Sequence, residues 1–145
     1  MGLGNPMFGD DGCGVRLAEI VAQRVASRSS MLSVIVAGIS PERHLAASCA
    51  HDTVVFADAV ECGQAPGTVI LMAGDQIVAR YPQVSTHKLS LGLLAKRLAD
   101  AGVKTWLLGI QPGSMAPGAA LTREVAASVD SLACVLADAA READA

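Results

Sequence analysis

Residues 2–14 read GLGNPMFGDDGCG, a glycine-rich loop that separates a very short apolar segment from a helical pattern. The apolar segment at residues 1–3 is long enough only for a stunted first strand. After the loop, apolar residues recur on one helical face: Leu17, Ile20, Val21 and Val25. A strand, a glycine loop and a helix in this order are typical of the first unit of a doubly wound α/β sheet.

Apolar runs and helical patterns alternate along the rest of the chain. The predicted strands cover residues 31–37, 53–57, 68–72 and 104–110. The predicted helices cover residues 91–98 and 125–136, with a shorter one at residues 42–50. This alternation predicts one α/β domain over residues 1–145, with three layers and a twisted, mainly parallel sheet flanked by helices. The turn at Ala65-Pro66-Gly67 allows an antiparallel strand directly after it.

The composition excludes several classes of function. Hydrophobic residues make up 52% of the 145 residues and charged residues 17%, which suits a packed core and argues against disorder. A formal net charge of -3 and an aromatic content of 3% argue against a nucleic-acid partner. No apolar run reaches transmembrane length and no signal peptide is visible, so we expect no membrane partner and a cytoplasmic location. The four scattered cysteines are expected to be free thiols.

Three polar residues lie in strand-to-helix connections, where α/β sheets bind their ligands. Asp11 ends the glycine-rich loop, Asp58 follows the strand at residues 53–57, and His87 precedes the helical pattern that begins at Leu91. Such connections meet at the same edge of a sheet, so we expect the three side chains to converge. Two carboxylates and one imidazole suit a Mn, Ni, Zn or Fe ion that keeps open coordination positions.

Each of these residues also has a simpler structural interpretation. Asp10 suits the N-cap of the first long helix, and Asp11 suits a first-turn acid. Asp58 could be a turn residue after a strand, and His87 a surface residue. Cys13, at the same helix start, is a weaker candidate for a nucleophile because no histidine partner is evident. The loop lacks the third glycine of a dinucleotide fingerprint, and the sequence contains neither a P-loop nor a G-x-S-x-G elbow.

Several motifs, in the right order along the chain, resemble those of the hydrogenase maturation proteases. These endopeptidases trim a C-terminal extension from the large-subunit precursor of NiFe hydrogenases. The motifs are GLGNPMFGDDGCGV at residues 2–15, VVFADA at residues 54–59, PGT at residues 66–68, STHKL at residues 85–89 and LGIQP at residues 108–112. The resemblance therefore spans most of the chain.

The resemblance implies a phosphorylase/hydrolase-like α/β fold and a peptidase whose catalytic and metal-contacting residues are Asp11, Asp58 and His87. It implies nickel as the cofactor, supplied by the substrate precursor, and the large-subunit precursor as the protein partner. We expect a monomer, since the enzyme must bind around a larger protein. We expect Asn5 and Asp10 to orient the metal-contacting residues without contacting the metal themselves.

Two features depart from the family pattern. The first strand is stunted, and Ala37-Gly38-Ile39 stands where many relatives carry an acid and glycines. The second departure bears on the wall of the cleft and on substrate preference.

Two other functions stay open at this point. A non-peptidase α/β module would bind a metal or a nucleotide with its glycine-rich loop, holding phosphate at the helix N-terminus. A general hydrolase would carry a bound metal of its own. The water-activating group is also open, because either a metal-bound water or a carboxylate base would serve.

Overall fold

A computed structural model describes residues 1–25, 31–81 and 91–144. Its strands are β1 (Gly2–Leu3), β2 (Val36–Gly38), β3 (Thr53–Ala59), β4 (Val69–Ala73) and β5 (Lys104–Ile110). They form one sheet in the order β2-β1-β3-β5-β4. β1 runs parallel to β2 and β3, and β3 runs parallel to β5, whereas β4 pairs antiparallel with β5. The predicted mainly parallel α/β sheet with a very short first strand is confirmed, and the turn before β4 does introduce an antiparallel strand.

Helices cover both faces of this sheet and complete the predicted three layers. They are α1 (Cys13–Val25), α2 (Leu45–Ser48), α3 (Gly74–Arg80), α4 (Leu91–Asp100) and α5 (Arg123–Ala143), with 3-10 turns at Gly9–Gly12 and Pro41–His44. α1 and α5 pack together on one face, and α3 and α4 pack together on the other. Within the described ranges, no helix has the length and apolarity that crossing a membrane requires.

The core consists of two apolar layers that the sheet separates. Phe56 of β3 and Leu107 of β5 are buried against the layer of α3 and α4. Ala57 and Ile110 lie on the opposite face of the sheet and are buried against α1 and α5. Each fully buried side chain of the size of leucine or phenylalanine contributes about 1.5–3 kcal/mol. Both faces of β3 are therefore packed at Phe56 and Ala57, and the polar residues that follow lie at the carboxyl ends of the parallel strands.

Gly14 lets the first turn of α1 approach the sheet closely. A Cβ atom at this position would lie 2.0 Å from the carbonyl oxygen of Ala57, so only glycine fits. The contact holds the beginning of α1, and the turn at Gly9–Gly12 before it, beside the carboxyl end of β3.

The structure corrects two boundaries and adds one helix. The strand predicted at residues 31–37 is wrong in its bounds, because β2 covers only Val36–Gly38. The strand β2 is short because its partner β1 has only two residues. The first hydrogen bond between them joins the N–H of Gly2 to the carbonyl of Ile35 at 2.8 Å. The short helix predicted at residues 42–50 is a 3-10 turn that continues into α2.

The helix α3 was not predicted from the sequence. It has only seven residues, and Ile77 is its one fully buried side chain. Its start is defined by Gln76, whose Oε1 accepts a hydrogen bond from the N–H of Ala73 at 2.8 Å. A pattern this short does not show helical periodicity.

Candidate functional site

Gly4 brings two of the predicted site residues together. Its φ angle is +110°, and a Cβ atom there would lie 1.7 Å from the backbone oxygen of Asp11 and 3.5 Å from Oδ1 of Asp58. The loop after β1 and the end of β3 therefore meet at this glycine. Asp11 and Asp58 therefore both lie near this loop, at the carboxyl ends of the parallel strands, where topology predicted them.

Asp11 lies in the 3-10 turn at Gly9–Gly12, directly before α1. Its Oδ2 accepts a hydrogen bond from the N–H of Asn5 at 2.9 Å, and the residue is half-buried. Asn5 thus supports Asp11 through its backbone, while its side-chain Oδ1 accepts from the N–H of Met7 at 3.0 Å. An acidic side chain at this position interacts favourably with the N-terminal end of α1.

Asp58 is the penultimate residue of β3 and pairs in register with Gly109 of β5. Its Oδ1 accepts a hydrogen bond from the N–H of Ala59 at 2.9 Å, and the residue is half-buried. The backbone of Asp58 is therefore fixed by the sheet, whereas that of Asp11 is fixed by a loop.

Asp10 is fully buried and does not cap α1, so the N-cap interpretation is wrong. Its carboxylate accepts hydrogen bonds from the N–H groups of Gly113, Ser114 and Thr122 at 2.8, 3.0 and 2.7 Å, and from Oγ1 of Thr122 at 2.8 Å. Burial by itself raises the pKa of Asp10, but these four hydrogen bonds hold the pKa below its usual value. Asp10 therefore ties the turn that carries Asp11 to the loop between β5 and α5.

Cys13 is a buried structural thiol, which removes it as a nucleophile. The side chain is fully buried, and burial, together with the nearby carboxylates, raises the pKa of the thiol to about 12. The nearby carboxylates are those of Asp58, Asp10 and Asp11. All four cysteines are free thiols, as predicted.

Gln111 is a site residue that the sequence interpretation missed. It directly follows β5, is 4% exposed, and its amide binds the loop that follows Asp58. Oε1 accepts from the N–H of Cys62 at 2.8 Å, and Nε2 donates to Oε1 of Glu61 at 2.9 Å. A polar residue at the end of a buried strand was the available signal.

His87 lies outside the described residues, as do Ser85 and Thr86, so its predicted place at a helix start stays a prediction. Among residues 1–25, 31–81 and 91–144, no group of three or more His, Cys, Asp or Glu side chains is arranged to hold a metal ion. Asp11 and Asp58 are thus a pair of carboxylates and not a complete set of metal ligands among the described residues. Two hard oxygen donors with open positions suit a divalent metal ion.

The sequence matches the family model described as hydrogenase maturation protease over residues 15–139. The chain belongs to the hydrogenase maturation protease family. The hydrogenase 2 maturation protease of Escherichia coli K12 is 30% identical over 90% of this chain and 82% of its own length. The hydrogenase 3 maturation protease of the same strain is 32% identical over 76% of this chain and 69% of its own length.

Solved structures of maturation proteases have the same fold. The crystal structure of the NiFe hydrogenase maturation protease HycI from Thermococcus kodakarensis KOD1 matches with a TM-score of 0.83 at 29% identity, over 94% of this chain and 87% of that one. The maturating endopeptidase HybD from E. coli matches with a TM-score of 0.77 at 27% identity, over 98% and 90%. This maturation protease is therefore a peptide hydrolase, and the non-peptidase alternative is set aside.

Proposed function

We propose that this maturation protease removes the C-terminal extension of a NiFe hydrogenase large-subunit precursor after nickel has been inserted. In this proposal Asp11, Asp58 and His87 bind the nickel that the precursor carries. The observation that supports it best is that two carboxylates meet at the loop of Gly4 and Asn5: Oδ1 of Asp58 lies beside Gly4, and Oδ2 of Asp11 accepts a hydrogen bond from the N–H of Asn5. This is the edge where α/β enzymes bind their substrates.

The chemistry of the carboxylate pair fits a metal that belongs to the substrate. Two carboxylates and one imidazole leave several positions of a nickel ion to the precursor, so the same ion can contact both proteins. Because the precursor supplies the nickel ion, a precursor without nickel would offer the carboxylates nothing to bind. The enzyme would then lose its main contact with that precursor. The carboxylate pair would in this way test whether the precursor is loaded.

Hydrolysis adds water to the scissile carbonyl carbon, breaks the C–N bond and returns a proton to the leaving amine. Nickel can lower the pKa of a water bound at one of its open positions, and a carboxylate can accept the proton of that water. In this proposal the base would be a carboxylate oxygen of Asp11 or Asp58 that does not bind nickel. Release of the tail would then let the large subunit close over its metal centre.

A processing assay tests this function directly. Nickel-loaded and nickel-free precursor are each mixed with the enzyme, and the mass of the large subunit is followed. We expect trimming of the loaded form alone. Equal trimming of both forms would overturn the metal check, and no trimming of the cognate loaded precursor would overturn the proposed substrate.

We further propose that the enzyme acts in the cytoplasm as a monomer. Analytical ultracentrifugation of the free enzyme, and of its mixture with loaded precursor, should give one enzyme per complex. A stable enzyme dimer would contradict this stoichiometry.

A further inference from the structure

The Gln111 amide continues the connection between β3 and β5 beyond the end of both strands. Its Oε1 accepts from the N–H groups of Cys62 at 2.8 Å and Gln64 at 3.3 Å, and from Sγ of Cys62 at 3.2 Å. Its Nε2 donates to Oε1 of Glu61 at 2.9 Å and to the carbonyl of Pro112 at 3.1 Å. The side-chain amide thus accepts and donates hydrogen bonds to the loop at residues 61–64. It takes the place that a backbone peptide group would have if β5 were longer.

This connection matters because the strand ladder at the end of β3 is formed with β5. The described pairing of β1 with β3 is at Gly2 and Ala57, whereas the ladder between β3 and β5 continues through Asp58 and Ala59. Strand ends open more readily than strand centres. Beyond the strand, the N–H of Val60 donates to the carbonyl of Ile110 at 2.9 Å, and the Gln111 amide follows.

The residues after Gln111 reach the other carboxylate. The N–H groups of Gly113 and Ser114 donate to the buried carboxylate of Asp10, at 2.8 and 3.0 Å. Asp10 directly precedes Asp11 in the 3-10 turn. Residues 111–114 therefore contact both the loop that follows Asp58 and the turn that carries Asp11.

We propose that Gln111 is a positioning residue that fixes Asp58 relative to Asp11, through residues 111–114. The proposal rests on the proposed function, in which both acids contact one nickel ion. Two ligands on different segments bind one ion more tightly when their separation is fixed before binding. Gln111 touches neither substrate nor metal and acts through the two acids.

Replacing Gln111 by methionine tests the proposal with little change in side-chain volume. Q111M removes the acceptor for Cys62 and Gln64 and the donor for Glu61. We expect the affinity of the enzyme for Ni²⁺ alone, measured by calorimetric titration, to fall about tenfold or more, the range found when supporting residues of metal sites are lost. The kcat for trimming loaded precursor should fall as well. Q23M, the same change at an exposed position of α1, should alter neither value.

Exchanging the side chains of Glu61 and Gln111 distinguishes a positioning role from a general effect on stability. Q111E places a second carboxylate against Glu61 and should impair Ni²⁺ binding, whereas the double variant E61Q/Q111E restores one donor and one acceptor between positions 61 and 111. We expect the double variant to recover most of the affinity. The thermal midpoint is measured for every variant, and the titrations are made well below it.

The outcomes distinguish this inference from the proposed function. If the unsubstituted enzyme neither binds Ni²⁺ nor trims loaded precursor, the proposed function is wrong. If it does both, and Q111M has the same Ni²⁺ affinity and the same kcat, then only the role of Gln111 is wrong. A lower thermal midpoint in Q111M with unchanged Ni²⁺ affinity would reduce Gln111 to a structural residue.

Discussion

The carboxylate of Asp10 accepts two hydrogen bonds from Thr122, from its N–H at 2.7 Å and from its Oγ1 at 2.8 Å, although 112 residues separate the two in sequence. Thr122 is the N-cap residue of α5. A single buried carboxylate therefore joins the turn that carries Asp11 to the start of the last helix.

Asp10 should contribute strongly to stability. D10N keeps the shape of the side chain but leaves one oxygen to serve four donors, so at least one buried N–H loses its acceptor. We expect the free energy of unfolding to fall by about 3 kcal/mol, since an unsatisfied buried donor costs about 1–3 kcal/mol and a charged acceptor is lost as well. Urea denaturation measures it. D130N, at an exposed position of α5, is the matched control and should change stability by less than about 0.5 kcal/mol.

The contribution of Asp10 should depend on pH in one direction. Its pKa is lowered in the folded protein, so the unfolded chain binds the proton more readily. The stabilisation is therefore complete above the unfolded pKa of about 3.9 and is lost as the pH falls through the folded value. The difference in unfolding free energy between the unsubstituted protein and D10N should be constant from neutral pH to about pH 5 and shrink below about pH 4. A constant difference down to the lowest accessible pH would contradict the lowered pKa.

Gly4 should tolerate no side chain. G4A combines a positive φ with a Cβ atom 1.7 Å from the backbone oxygen of Asp11, so the loop must move away from Asp58. We expect loss of trimming activity together with a lower thermal midpoint. G102A is the matched control, because Gly102 also has a positive φ but nothing within 4 Å of its Cβ position. It should cost only about 1–2 kcal/mol of backbone strain. Equal effects of the two changes would mean that the contact with Asp11 is not what excludes a side chain.

Cys13 should be inert towards alkylation in the folded protein. Its thiol is buried, with a pKa raised to about 12, so almost no thiolate exists at pH 8. The exposed Cys49 and Cys134 should react with iodoacetamide within minutes, and Cys13 only after denaturation. Mass spectrometry of the labelled peptides measures this. Rapid native labelling of Cys13, or loss of trimming in C13A at an unchanged thermal midpoint, would restore it as a candidate nucleophile.

Replacement of the proposed nickel ligands should abolish trimming without unfolding the enzyme. D11N, D58N and H87A each remove one ligand, and we expect kcat/KM for loaded precursor to fall by more than about 100-fold. D52N, an exposed carboxylate just before β3, serves as the control and should trim normally. Normal trimming by any of the three site variants would remove that residue from the site.

Local patterns were enough to predict the sheet and the position of the two acids. The apolar run at residues 53–57 followed by Asp58 identifies the end of a strand, and Asp11 follows a glycine loop at a helix start. Both are features of neighbouring residues, and parallel topology then brings them to one edge.

The supporting residues could not be predicted because their partners are distant in sequence. Asp10 has the sequence context of an N-cap, yet its carboxylate accepts hydrogen bonds from Gly113, Ser114 and Thr122. The spacing of residues near Asp10 does not predict these distant partners. Gln111 follows a buried strand and belongs to the motif at residues 108–112, but its partner Cys62 is 49 residues away, so its contacts could not be predicted. Buried polar groups must find partners, but the sequence does not say which ones.

The long-range bonds of Asp10 also set the moment during synthesis at which the site can form. The ribosome makes residues 10 and 58 early, but Asp10 has no complete set of partners until Thr122 has left the exit tunnel. A nascent chain that ends before this residue carries both acids and cannot hold them in place. The two acids therefore cannot be fixed relative to each other until residue 122 has been made, and products truncated before α5 should be unable to trim any precursor.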